Sequence, residues 1–179
     1  ANNVLAHVPD INDFVAGFAV LLKPDGVATF EFPHLLNMVQ QRQFDTAYHE
    51  HYSYLSALTV QRIFAANGLQ VFDIETLPTH GGSLRVFAQR ADTGRRPQAP
   101  GVALVLDREK AAGMDTPVFY RGFQKEAERV ARSTLEFLLH QASAGRKVIA
   151  YGAAAKGNTL LNFAGVRPHL LPLVVDRNP

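Results

Sequence analysis

The hydrophobic positions of this chain alternate between two periods. Ile11, Phe14, Val15 and Phe18, continued by Leu21 and Leu22, recur at helical spacing behind Asp10, a residue suited to capping a helix. The breaker Lys23-Pro24-Asp25-Gly26 stops that helix, and residues 27–32 then read as a buried strand ending at Pro33. Residues 3–8 read as the end of an earlier strand. Ser56 caps a second predicted helix carrying Val60, Ile63 and Phe64, which Asn67-Gly68 terminates. Residues 69–77 and 83–89 are strand-like, and the Pro78-Thr79-His80-Gly81-Gly82 connection between them suits a hairpin.

The second half changes character. Residues 91–100 are polar and rich in breakers, so 92–115 is taken as a linker region between a first domain, 1–91, and a second, 116–179. Thr116-Pro117 predicts a helix start with proline at the first helical position. Phe123, Ala127, Val130, Ala131, Thr134 and Leu138 then form one stripe, closed by Gly145. A helix of that length suits either a brace between two halves or ordinary packing. Strand-like 147–151, helical 157–163 and strand-like 172–176 make a βαβ unit, and the alternation in both halves predicts an α/β fold.

Composition narrows the function classes. The 179 residues are 47% apolar and 19% charged with a net charge of +2, which suits one ordinary domain or two small ones and gives no basic tract for nucleic acid. No apolar run is long enough to cross a bilayer, and no secretory leader is visible, so the expected location is cytoplasmic. Without cysteine there is no disulfide, thiolate zinc site or thiol nucleophile. Both ends fall within strand-like apolar runs, so the sequence reads as part of a longer polypeptide.

Three stretches carry candidate chemistry. FDTAYHEHYSY, residues 44–54, sets His49 and His51 on either side of Glu50 among Tyr48, Tyr52 and Tyr54. As a zinc site it supplies two ligands where catalytic zinc wants three, so no metal is assigned. Proton transfer suits it better, because imidazole titrates near neutrality and a carboxylate can orient it. A solvated polar loop is the plain alternative. THGGSLR, residues 79–85, combines a hairpin turn with His80, Ser83 and Arg85. YGAAAKGNTL, residues 151–160, joins a strand to a helix where backbone N–H groups favour an anion. Gly152, Ala154 and Gly157 stand at dinucleotide-fingerprint positions, with Asp176 downstream as a ribose-binding acid. Read as a P-loop, the turn has Asn158 in place of the lysine. A tight packing turn explains the small residues equally well.

Taken in order, LLKPDGVATFEFP, YHEHYSY, THGGSLRV and GAAAKGNTLLN resemble the sugar C-methyltransferases, which use S-adenosylmethionine to methylate a carbon of a nucleotide-linked deoxysugar. The resemblance covers nearly the whole chain. It implies the later part of a Rossmann-like methyltransferase sheet and the beginning of a second Rossmann-like α/β domain. A cysteine-rich zinc module and the glycine-rich loop for the methyl donor would lie outside this sequence, leaving the cofactor-binding residues unassigned. By the same resemblance His51 is the base that generates an enolate, Tyr48 and Glu50 are its partners and His7 is a second active-site histidine. His80, Ser83 and Arg85 would lie near the sugar, and Lys156, Asn158 and Thr159 would face the diphosphate of a dTDP-linked substrate. The rival readings are an NAD(P)-dependent oxidoreductase built on the 152–157 turn, an inactive nucleotide-sugar binding module, and a small-molecule O-methyltransferase.

Overall fold

The structure, a computed structural model, describes residues 1–177. The last two residues of the expected 116–179 domain lie outside that range. Two compact units are present: Ala1–Gln41 with His49–Tyr120, and Arg42–Tyr48 with the chain from Arg121 onward.

The first unit is built as its hydrophobic pattern directs. Helix α1 (Ile11–Leu21) starts where the Asp10 carboxylate accepts the N–H groups of Asn12 and Asp13 at 3.1 and 3.0 Å. Strand β1 (Ala28–Pro33) leads into a short helix α2 (Leu35–Gln40), and helix α3 (Ala57–Ala66) follows behind Ser56, whose hydroxyl accepts the Thr59 N–H. Strands β2 (Leu69–Leu77) and β3 (Ser83–Arg90) form the expected hairpin. The sheet order is β1-β3-β2, with β3 antiparallel to both neighbours. Phe30, Phe32, Leu84 and Val86 of this sheet are completely buried, and Phe30 meets Phe18 of α1 and Phe64 of α3 edge-on at 4.7 Å each. Such edge-to-face pairs add specific geometry to the burial.

Three expectations change here. Residues 3–8 form no strand: one parallel bridge joins Asn2 to Glu31, and the chain then turns at Asn3 (φ 53°) into a 3-10 turn, Leu5–His7. Helix α2 was not anticipated, since its buried residues Leu36 and Met38 are too few to show a period. The 92–115 linker reading is corrected by helix α4 (Pro100–Ala111). Val102, Val105 and Leu106 lie at i, i+3 and i+4, are buried, and belong to the first unit's core. Proline at the first helical position starts α4, while the breakers that mimic a linker occupy only the approach to it.

In the second unit helix α5 (Phe123–Ser143) buries Ala127, Ala131 and Leu138 of the predicted stripe. It begins later than Thr116-Pro117 because Gly122, at φ 94°, interrupts the helical backbone. Strand β4 (Ala150–Tyr151), helix α6 (Ala155–Phe163) and strand β5 (Val174–Val175) make the expected βαβ unit with a parallel pair. Residues 42–48 join this unit through a 3-10 turn, Phe44–Thr46, whose Phe44 ring lies 5.1 Å from that of Phe163.

Helix α4 approaches β2 closely at Gly101, where a Cβ would lie 2.5 Å from the Ile74 carbonyl oxygen. Gly101→Val is therefore expected to destabilise the protein by about 1–3 kcal/mol, the usual cost of overpacking. Urea denaturation measures it, and an unchanged midpoint would contradict this account of the contact.

Candidate active site

The polar cluster is positioned by one backbone carbonyl. The Ala6 oxygen accepts the N–H groups of Tyr52 and Ser53 at 2.9 and 3.2 Å. His7 follows Ala6 and His51 precedes Tyr52, so the shared acceptor draws the two histidines together. Their ring centroids are 4.7 Å apart at 57°, and the Tyr54 ring meets His51 edge-on at 5.9 Å. Both histidines are half-buried, whereas His49, Glu50 and Tyr52 face solvent. The segment is a turn rather than a strand, so the pairing of His51 is with His7, 44 positions earlier, and not with His49. Tyr48 is half-buried in the second unit, where its N–H donates to the Thr46 carbonyl at 3.1 Å.

The 79–85 stretch separates into a scaffold and an exposed tip. His80 is exposed in the left-handed region at φ 55°. Gly82 is required by close packing, since a Cβ there would lie 2.2 Å from the Asn37 amide nitrogen. Ser83 is buried, and its hydroxyl donates to the Thr79 carbonyl at 3.0 Å, which closes the turn. Arg85 donates to the buried Glu31 carboxylate at 2.8 Å, and the Thr79 hydroxyl donates to the same carboxylate at 3.1 Å. The Arg85 hydrogen bond holds the Glu31 carboxyl below its ordinary pKa, against the opposing effect of burial.

At the C-terminal turn Gly152 takes φ 100°, and the Ala153 N–H donates to the Asp176 carboxylate at 2.5 Å. The protein's own carboxylate thus occupies a backbone donor that the anion-site reading would offer to phosphate. Lys156 and Thr159 are half-buried on α6 and Asn158 is exposed. The Thr159 hydroxyl donates to the Ala155 carbonyl, and the Asn158 side-chain oxygen accepts from Asn162, both at 3.0 Å.

Sequence reasoning passed over Glu109 and its pairing with His34. The Glu109 carboxylate is fully buried, accepts the Ala57 and Leu58 N–H groups at 2.7 and 2.8 Å, and lies 2.7 Å from His34 Nε2. A signal was present: 109 continues the apolar line of 102, 105 and 106 with a carboxylate, an arrangement that demands partners. Among the described residues no group of three or more potential ligands is placed to hold a metal ion, and no helix is long and apolar enough to cross a membrane.

The α/β arrangement, a small antiparallel sheet packed by helices, is consistent with part of a Rossmann-like methyltransferase domain, and residues 1–74 match a family described as a methyltransferase domain. Residues 78–179 match the family described as the C-methyltransferase C-terminal domain. The chain belongs to this C-methyltransferase family. It is also 38% identical over 161 residues to C-methyltransferase NovU of Streptomyces niveus, an alignment covering 90% of this chain and 38% of that protein. The chain therefore spans well under half the length of that relative.

Because the folded Glu31 pKa is depressed, its contribution to stability is complete above the ordinary glutamate value of 4.5 and is lost as pH falls through the lower folded value. Arg85→Met is accordingly expected to destabilise the protein most at neutral pH, with the difference from wild type shrinking below that value. Thermal melts from pH 7 to pH 3 test this, and a pH-independent difference contradicts it.

Proposed function

We propose that the protein is an S-adenosylmethionine-dependent C-methyltransferase acting on the carbon beside the carbonyl of a nucleotide-linked ketodeoxysugar, with dTDP as the nucleotide. The observation that supports this best is the His7–His51 ring pair, held at 4.7 Å by the shared Ala6 carbonyl in a chain of this family.

Carbon beside a carbonyl becomes nucleophilic only when its proton leaves. In the proposed step His51 takes that proton, the C–H bond breaks and its electron pair delocalises onto the carbonyl oxygen as an enolate. Imidazole suits this work because its ordinary pKa lies near neutrality. His7 and the Tyr54 ring restrict how the base can turn, which preserves its aim. Glu50 and Tyr48 precede the base in the chain, and Glu50 is proposed as its hydrogen-bonding partner. His80 and Arg85 are proposed for the sugar, with Ser83 setting their turn, and Lys156, Asn158 and Thr159 for the diphosphate.

The methyl donor supplies an electrophilic methyl on a sulfonium. Its fit to the described residues of the first unit is poor: β1 passes to α2 through His34, and β3 passes to α4 through 91–99, neither with a G-x-G turn. No residue is assigned to the donor and no step is derived through it.

In the full-length protein, His51→Ala is expected to lower methyl transfer to the ketodeoxysugar nucleotide by about a hundredfold or more, the range for loss of a general base. Substrate binding should persist in calorimetric titration. Turnover within a few-fold of wild type would sink the assignment. Solvent deuterium exchange at the substrate carbon without donor isolates the proton step, and it should disappear with His51. For this chain itself, titration with thymidine diphosphate should give saturable binding that Lys156→Ala weakens. An unchanged affinity removes Lys156 from the diphosphate site.

A further inference from the structure

We propose that Glu109 is a positioning residue that aims His51, acting through the N-terminus of α3 and through His34. The geometry points to this from both ends of the His51–Tyr54 segment. At its front, the segment hangs on the Ala6 carbonyl, which brings His51 against His7. At its back, Leu55 bridges His34, and the Leu35 N–H donates to the Leu55 carbonyl at 3.0 Å. Ser56, Ala57 and Leu58 follow at once. Glu109 holds the N–H groups of Ala57 and Leu58, and Ser56 holds that of Thr59, so the first turn of α3 has its donors satisfied by side chains.

The carboxylate does more than cap a helix. Its Oε1 also meets His34 Nε2, and the His34 backbone N–H donates to the Gly82 carbonyl at 3.0 Å. One buried group therefore ties together the exit of the His51 segment, the entry to α2 and the turn that carries His80. Two backbone donors already converge on the carboxylate, so His34 presents Nε2–H to it. His34 Nδ1 is then left buried with no hydrogen-bond partner. An orphaned ring nitrogen is costly, and its retention fits a ring held in place by the carboxylate rather than by its own solvation.

Glu109→Gln tests the proposal, because an amide preserves the volume but cannot accept from all three donors. Its nitrogen must face an N–H group in either orientation. Expected in the full-length protein is loss or marked weakening of the nuclear Overhauser contacts between the His7 and His51 rings. Expected with it is a fall in kcat of about ten- to a hundredfold, with KM for the sugar nucleotide unchanged, as misalignment of a catalytic group would give. Ser56→Ala is the comparison: it weakens the same helix end without touching Glu109, and should lower the melting temperature while leaving the ring contacts and kcat as they are. Intact ring contacts in folded Glu109→Gln overturn the proposal, as does a Ser56→Ala variant that loses them equally. If Glu109→Gln does not fold, His34→Asn replaces it. That change removes the ring arm and keeps the cap, and unaltered His7–His51 contacts in it overturn the proposal. The kinetic arm rests on His51 being the base, whereas the ring contacts do not. Should His51→Ala retain turnover, the ring contacts alone decide.

Discussion

A carboxylate taken out of water costs several kcal/mol unless its oxygens find donors, and Glu109 is buried completely. Its three donors come from positions 34, 57 and 58, more than fifty residues away in the chain. Satisfying it forces α4, the start of α3 and the end of β1 to converge on one point. The segment behind His51 and the entry to α2 leave from that point. The carboxylate keeps its donors only where these three elements meet as they do.

Around that anchor the candidate site is made largely by backbone groups. The Ala6 carbonyl pairs two histidines that lie far apart in sequence, and the Gly82 carbonyl ties the hairpin turn to the entry of α2. Side chains that look available for ligands have, in several cases, structural work to do. Ser83 closes its own turn, and Arg85 neutralises the buried Glu31. His80 is what the turn presents to solvent, held in a left-handed conformation between the turn and two glycines. In the second unit, Asp176 reaches back to the Ala153 N–H, so the glycine-rich turn carries an internal anion at its mouth.

The local elements were legible from residue order because their causes are local. The Asp10 and Ser56 caps, the stop at Gly68, the hairpin of β2 and β3 and the stripe of α5 each rest on neighbours within a turn or two, and each appears where the pattern puts it. The family is legible for the same reason, since its motifs are short runs. Local reading erred where a distant contact overrode it. The 92–115 stretch looked like a linker because its approach is rich in breakers, yet Val102, Val105 and Leu106 find the sheet and fold onto it. Residues 3–8 looked like a strand, but the left-handed turn at Asn3 limits pairing with Glu31 to one bridge.

Sequence alone therefore determined the capped helices α1 and α3, the β2–β3 hairpin and the stripe of α5, and it singled out the polar 44–54 stretch that holds His51, because spacing and side-chain type act within a few residues. It paired His51 with its neighbours Glu50 and Tyr48 and named His7 only through the family. Tertiary structure alone decided that the His51 ring meets His7, that Ser83 is buried and that Glu109 anchors the loop behind His51. Each of those outcomes depends on a hydrogen bond or a ring contact between groups that only the folded chain brings within a few ångströms. No periodicity along a sequence encodes that distance.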